Sequence, residues 1–387
     1  MKKKILFYNG QLYMGGIERV FISYLKELSK DENLEIEILI KENDPEKNVF
    51  YSEIPKNIKC TFVRTREYME RREKLSLKKK DNFLYKILYQ CYLQYGRIKM
   101  RRFIKDYFLN NRYDCILDFD TGLRKDINFI KDPIITWCHI SFSLLKRKNK
   151  KNFIEQLGHY KKIILICDEM KKEFEDLYPH LKEKGIRIYN PMNIEEIRDK
   201  MNKRLTDEEE ELMKESYFVG VSRLVKTKGR EDLIDIYFNL KKRGVKEKLY
   251  LLGDGPDYDY LKNKIEKLNL EKDVLLLGQK TNPYPWMKNA KLFLHTSYGE
   301  GLPTVFIESM ICGTAVITYD CPTGPEEILK NGELGILIKT GDKKSFEDAI
   351  YELNKNEEQM GRFKEKMEER VKEFSSHYVG RQLKELL

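Results

Sequence analysis

The chain has 387 residues, enough for two domains of ordinary size with a core each, and 41% hydrophobic with 35% charged residues excludes wholesale disorder. No run approaches the roughly 18 uncharged apolar residues of a membrane span, and the apolar part of the N-terminus is too short for a signal peptide, so a cytoplasmic protein is expected. The net charge of +10 is uneven: residues 64–110 hold 14 Lys and Arg against 5 Asp and Glu, leaving +9 in one segment.

In chain order, "KKKILFYNGQLYMGGIERVFISYLKELSK" is a short apolar run, a glycine loop, and apolar residues at helical spacing (Ile17, Val20, Phe21, Tyr24, Leu25, Leu28). This predicts strand, loop and helix. Gly15 and Gly16 lie in the loop, where backbone N–H groups can approach a phosphate; a plain strand-to-helix turn is the alternative. The spacing is not G-x-G-x-x-G, which argues against a nicotinamide or flavin cofactor.

The basic segment 64–110 comes next and interleaves Lys and Arg with Phe, Tyr, Leu and Ile at helical spacing. Such a face suits an anionic membrane surface, where each cation contributes about 1 kcal/mol; a solvated helix with packed aromatics is the alternative. No nucleic-acid module is recognisable, so nucleic acid is not expected as a partner.

Apolar runs recur at "EIEILI", "DCILDF", "PIITWCHI", "KKIILIC" and "IRIYN", separated by helical or loop segments. Strands alternating with helices predict a parallel sheet covered on both faces. "DFD" at Asp118 to Asp120 ends one of these strands and is a pattern that can hold a divalent metal, yet it is far in sequence from the cations described below. His139 follows an apolar strand at a predicted rim, either facing a ligand or acting as a structural hydrogen bonder. The other four histidines form no H-x-x-x-H grouping, and the seven cysteines are scattered without a C-x-x-C pair, so neither a metal centre nor a disulfide framework is expected.

Near Pro191 the chain turns polar and highly charged, which places a linker there. Beyond it, "YFVGVSR", "KLYLLGDG", "DVLLLG", "KLFLHTS", "TAVITYD" and "GILIK" again alternate with helical segments. The fold class expected is α/β, with two doubly wound Rossmann-like domains, 1–190 and 191–369, facing each other across a cleft. A C-terminal helix at about 370–387 is expected to pack back on the first. Ligands of such sheets sit beyond the C-terminal strand ends.

Two groups in the second half suit an anionic ligand. In "GVSRLVKTKGRED", Arg223 and Lys228 follow a strand and precede a helix, a placement fit for a diphosphate, though they could be ordinary surface charges. In "SYGEGLPTVFIESMICGTAV", Pro303 suits a first helical turn and Gly313 a helix stop. The N–H groups of Leu302, Thr304 and Val305 then form an anion site, with Glu300 just before the helix and Glu308 inside it. Glu308 could hold two neighbouring hydroxyls of a ribose.

As a set, "GGIERV", "GVSRLVKTKG", "LLGDGP", "DVLLLGQ", "EGLPTVFIE" and "DCPTGPEEILKNGELGILI" resemble the family 4 retaining glycosyltransferases of the GT-B fold. They cover the second half nearly end to end and the first half thinly. The resemblance implies a catalytic set of Glu300, His139, Arg223 and Lys228. Arg223 and Lys228 would neutralise the donor's diphosphate in place of a metal, so no cofactor is expected. Glu300 would meet the donor sugar's hydroxyls, Glu308 the ribose, and Gly15 and Gly16 a phosphate. His139 would sit near the sugar, while Gly301, Leu302, Pro303 and Thr304 would line the donor. Gly253 and the stretch from Gln279 to Asn282 would edge the base pocket.

The resemblance further implies a UDP-sugar donor, a saccharide or lipid-linked saccharide acceptor, and a role in capsule, cell-wall or other surface-polysaccharide synthesis on the inner face of the plasma membrane. A non-hydrolysing UDP-sugar epimerase has the same layout and is an alternative. A non-catalytic binding protein using the basic segment is another.

Overall fold

A computed structural model describes residues 2–80, 82–142 and 153–387. They form two compact units, the first of Met1–Ile166, Lys171–Pro191 and Val379–Leu387, the second of Cys167–Met170 and Met192–Tyr378.

The first unit is built on a seven-stranded sheet of β1 (Lys3–Asn9), β2 (Leu34–Glu42), β3 (Lys59–Arg64), β4 (Cys115–Asp118), β5 (Ile134–Cys138), β6 (Lys162–Leu165) and β7 (Gly185–Arg187), in the order β3-β2-β1-β4-β5-β6-β7. Every pairing is parallel. The central strands β4 and β5 are buried at every position, which explains their unbroken apolar runs. Two helices, Arg66–Lys78 and Phe83–Asn110, carry the basic segment, started by Thr65 and Asn82 whose side chains accept from the N–H groups of Tyr68 and Leu84. At the other end of the chain, Val379 and Leu383 are fully buried in this unit, and Lys384 pairs with Asp31 at 2.9 Å.

The second unit holds β8 (Tyr217–Val221), β9 (Lys248–Leu252), β10 (Val274–Leu276), β11 (Leu292–His295), β12 (Val316–Asp320) and β13 (Gly335–Lys339), all parallel, in the order β10-β9-β8-β11-β12-β13. The charged stretch after Pro191 is folded here. It forms the helices Ile194–Met201 and Asp207–Leu212, the second begun by a capping box of Thr206 and Glu209. Four helix starts in this unit are closed by a side chain, from Asn193, Thr206, Asp342 and Asn356. The helix Thr304–Ile311 is among those that are not, with Pro303 before it.

In each sheet the chain runs outward in both directions from a central pair, β1 beside β4 and β8 beside β11. Connections on the two sides of that pair cover opposite faces, so a crevice opens at the C-terminal ends of the pair.

Candidate active site

At the second unit's central pair, Phe218 of β8 lies opposite Leu292 of β11. The loop after β8 turns through Lys226–Lys228 into Gly229, whose φ of 59° lies in the left-handed region. A side chain at Gly229 would put its Cβ 1.9 Å from the Thr296 carbonyl oxygen, so only glycine lets this loop touch the one after β11. The contact is fastened on both sides: Thr296 Oγ1 donates to the Gly229 carbonyl at 2.8 Å, and the Tyr298 N–H donates to the Thr227 carbonyl at 2.9 Å.

That seam brings four charged or polar side chains together. Lys228 Nζ lies 2.6 and 2.7 Å from the two oxygens of Glu300, and His295 Nε2 lies 2.8 Å from one of them. Behind them the buried Arg230 guanidinium reaches His295 Nδ1 at 3.4 Å and the Leu294 carbonyl at 3.3 Å, while its Nε donates to Ser222 Oγ at 2.8 Å. Arginine has no acceptor, so Nδ1 must accept, and the imidazole proton sits on Nε2, pointing at Glu300. Burial lowers the His295 pKa to about 4, against the Glu300 contact that favours its charged form, so the ring is neutral. Burial likewise brings Arg230 down to about 10. For Glu300 burial acts upward but is outweighed by the His295 hydrogen bond and the Lys228 charge, which hold it at about 2. Glu300 is therefore a fixed, ionised carboxylate.

Around this core the remaining candidates take definite places. Arg223 is exposed two residues past β8 and has no ion-pair partner among the described residues. The N–H groups of Leu302, Thr304 and Val305 at the uncapped helix start carry no hydrogen bond among the described residues. Glu308 is half-buried one turn further on. Gly301 and Pro303 are held by the "TGP" segment: Thr323 Oγ1 donates to the Glu300 carbonyl at 2.7 Å, and a Cβ on Gly324 would lie 2.5 Å from Pro303 Cδ. Gly253 has a packing reason of its own, since a Cβ there would stand 1.8 Å from the Ser222 carbonyl oxygen. Gln279 is exposed in the loop after β10, and the Asn282 amide is engaged with the Lys200 carbonyl at 2.8 Å.

Sequence reasoning missed His295 and Arg230 as members of this site. Their signal was present: His295 is the last residue of an apolar strand, five before Glu300, and Arg230 opens the helix after the Lys228 loop.

The first unit's central pair carries different chemistry. Asp118 Oδ1 accepts from the Gly122 N–H at 2.9 Å, and its Oδ2 from the Leu123 N–H at 3.0 Å and the Tyr160 hydroxyl at 2.5 Å. Asp120 accepts from the Gly122 and Gly10 N–H groups, each at 3.0 Å. All four carboxyl oxygens of "DFD" thus receive donors of the protein, fastening the loop after β4 to the loop after β1. Burial, with the Asp120 charge adding to it, pushes Asp118 up to about 8, and burial raises Asp120 as well. His139 Nε2 lies 2.8 Å from the Phe119 carbonyl, which can only accept, so this nitrogen carries the proton. Burial holds its pKa at about 4, leaving a neutral ring with Nδ1 as acceptor. His139, Asp120, Arg124, Trp137 and Gln156 are among the residues lining a cavity of about 530 Å³. Gly15 precedes the helix Gly16–Leu28 in extended backbone, and a Cβ on Gly16 would meet nothing within 4 Å.

A family model described as glycosyl transferases group 1 matches residues 201–370. An uncharacterized glycosyltransferase of Methanocaldococcus jannaschii is 35% identical over 168 residues, covering 43% of this chain and 41% of that protein. The N-acetylgalactosamine-N,N'-diacetylbacillosaminyl-diphospho-undecaprenol 4-alpha-N-acetylgalactosaminyltransferase of Campylobacter jejuni is 30% identical over 266 residues, 68% of this chain and 69% of that one. Among solved structures, HepE of Anabaena in complex with UDP and glucose matches with a TM-score of 0.75 at 18% identity, over 99% of both chains. At that identity the likeness concerns the fold, two Rossmann-like α/β units of GT-B type. Because a relative is 30% identical across more than two thirds of its own length, and the matched domain spans the loops that assemble Glu300, Lys228 and His295, the protein belongs to the glycosyl transferases of group 1.

Proposed function

We propose that the protein transfers a sugar from a UDP-sugar to a hydroxyl of a lipid-linked saccharide, with retention of anomeric configuration, in the assembly of a bacterial surface polysaccharide. The observation that carries this reading is the Lys228–Glu300–His295 cluster at the β8/β11 strand ends, beside an uncapped helix start. Lys228, Arg223 and the free N–H groups suit a diphosphate, and an ionised carboxylate suits the hydroxyls of a sugar. UDP is favoured because HepE binds it, and a lipid diphosphate carrier because the Campylobacter relative is named for one.

In this reading Glu300 orients the donor sugar and Glu308 the ribose, while Gly253, Gln279 and Asn282 border the base. Gly15 and Gly16 offer N–H groups to a phosphate, and His139 serves the sugar through its Nδ1 acceptor. As the bond from C1 to the diphosphate oxygen breaks, the acceptor oxygen bonds to C1 on the same face, and its proton passes to the departing phosphate oxygen. Fixed cations and N–H groups at the diphosphate stabilise the charge that develops there. No metal is assigned, since the four oxygens of Asp118 and Asp120 are engaged by donors of the chain.

The test is a panel of nucleotide sugars with a prenyl-diphosphate saccharide, following UDP release and the product's anomeric configuration by NMR. Acceptor-dependent release with retention, unaltered by EDTA, is the expected result. Inversion, or activity lost to EDTA and restored by magnesium or manganese, overturns the corresponding clause. Isomerisation of the UDP-sugar without acceptor replaces the transferase reading with an epimerase.

A further inference from the structure

The helices Arg66–Lys78 and Phe83–Asn110 pack side by side in the first unit. Tyr68 stacks on Tyr92 with ring centroids 4.9 Å apart and planes 15° apart, and Gly96 makes room for it, since a Cβ there would lie 1.9 Å from the Tyr68 hydroxyl. Ile104 and Phe108 bury the same side of the longer helix. The opposite side is bare. Leu84, Ile87, Leu88, Tyr95 and Ile98 recur three, four or seven residues apart and are 46% to 67% exposed, and Phe83 at the helix start is 73% exposed. The stripe runs about 21 Å at 1.5 Å per residue.

Beyond Ile98 the same face turns basic. Arg102 and Lys105 continue the spacing, Lys99 flanks them, and none of the three has an ion-pair partner among the described residues. At the other end Lys78 and Lys79 hold their amino groups over the rings of Tyr85 and Tyr89, at 5.2 and 3.9 Å, next to the exposed Leu77. The apolar stripe thus runs into cations at its Ile98 end, and Lys78 and Lys79 add charge beside its start.

We propose that this face docks on the interface of an anionic lipid bilayer, with Phe83, Leu84, Ile87 and Leu88 entering the acyl boundary and the flanking Lys and Arg lying among the headgroups. Charge selects this occupant. A second copy of the chain would oppose two faces from a segment of net charge +9, and a nucleic acid would leave the aliphatic stripe in water. A bilayer with anionic headgroups receives both parts. The helix lies on the surface: no helix among the described residues is long and apolar enough to cross a membrane. The inference stands apart from the transferase reading, since it needs no donor or acceptor.

The experiment is co-sedimentation of the full chain with vesicles of phosphatidylglycerol and phosphatidylethanolamine, and with phosphatidylcholine alone, over a range of salt. Far-UV circular dichroism and UDP thermal shift are measured on the same samples. Binding to the anionic vesicles is expected to weaken with salt, and to fall at least roughly tenfold in L84S/I87S/L88S and in K99E/R102E/K105E, with the fold unchanged. Equal binding by the folded serine variant, or equal binding to both vesicle types, overturns the proposal. So does a dimer in light scattering that the serine variant dissolves, because the occupant is then a second copy. Loss of UDP response with vesicle binding intact would fault the transferase reading alone.

Discussion

The two sheets repeat one plan, yet their central strand pairs carry opposite electrostatics. At β8/β11 the groups are charged and matched: an ionised Glu300 between Lys228 and a neutral His295, backed by Arg230. At β1/β4 two carboxyls share one pocket, and burial raises both pKa values, so the pair resists full ionisation. The same kind of crevice can therefore be lined by paired cations and open N–H groups, which favour an anion, or by carboxyls and a neutral imidazole, which favour neutral hydroxyl-bearing groups. Topology supplies the place, and the residues just past the strand ends decide the chemistry.

The sharpest way to break this contrast is Lys228→Ala, which removes the cation of the charged pair. Turnover measured by UDP release is expected to fall about 10²- to 10³-fold, the usual cost of one fixed charge or donor at a developing anion. Unchanged turnover would deny the β8/β11 site its anionic ligand.

Next in size is His295→Ala. It leaves the buried Arg230 and Glu300 without the ring that links them, at about 2–4 kcal/mol in urea unfolding of the second unit, the first being untouched. A loss under about 1 kcal/mol would show that the link is dispensable.

Acid should act on the same unit, as it should on the first through His139, which burial also holds at about 4. With its pKa at about 4, His295 stays neutral in the fold while the unfolded chain takes a proton below about 6.5. The unfolded state binds more protons, so stability is lost as pH falls from about 6.5 toward 4, by up to about 3 kcal/mol. Glu300, at about 2, extends the loss below pH 4.5 in the same direction. A melting temperature flat from pH 7 to 4 would contradict the neutral, committed ring.

Asp118 moves the other way. Its pKa of about 8 means that the native carboxyl keeps a proton which the unfolded chain releases above about 4, so the first unit weakens as pH rises toward 8. Asp118→Asn removes the titrating proton at the cost of one accepted hydrogen bond, so the variant should be less stable than the parent at pH 6 yet lose the further fall toward pH 8.5 in differential scanning calorimetry.

The smallest effect on stability belongs to Arg223→Ala, expected within about 0.5 kcal/mol because the side chain is exposed and has no ion-pair partner among the described residues. Its effect should appear in UDP-sugar affinity and turnover together, and a folding defect would show that it is structural.

Local patterns carried much of this to the sequence reader. The apolar runs and their helical partners were legible because buried parallel strands are apolar without interruption, and the uncapped start at Thr304 was legible from Pro303. Lys228 and Glu300 could be picked out singly by their place after strands. Their direct pairing could not, because it depends on β8 and β11 being neighbours although Lys228 and Glu300 are 72 residues apart. His295 and Arg230 were hidden for the same reason. In "DFD" the acidic pattern left a metal open as the lesser reading, and the fold spends its oxygens on backbone N–H groups and the Tyr160 hydroxyl, a use that only the loop geometry reveals. The basic segment showed its charge and period, but not which of its aromatics were packed, since Tyr68 and Tyr92 bury each other while Phe83 and Tyr95 do not.

The short contact between Lys228 and Glu300 has a consequence for how the pocket fills. With that pair made, the site answers its own charges, so a small stray anion gains little by entering: it must first compete with a carboxylate for the ammonium. In the proposed reading, a diphosphate with a sugar attached does both halves of the exchange at once, drawing the ammonium to itself while its hydroxyls take over the carboxylate. Selectivity for the complete donor over free phosphate is then a matter of swapping partners, and Glu300→Gln, which slackens the resident pair, should narrow the gap between the two ligands in a titration.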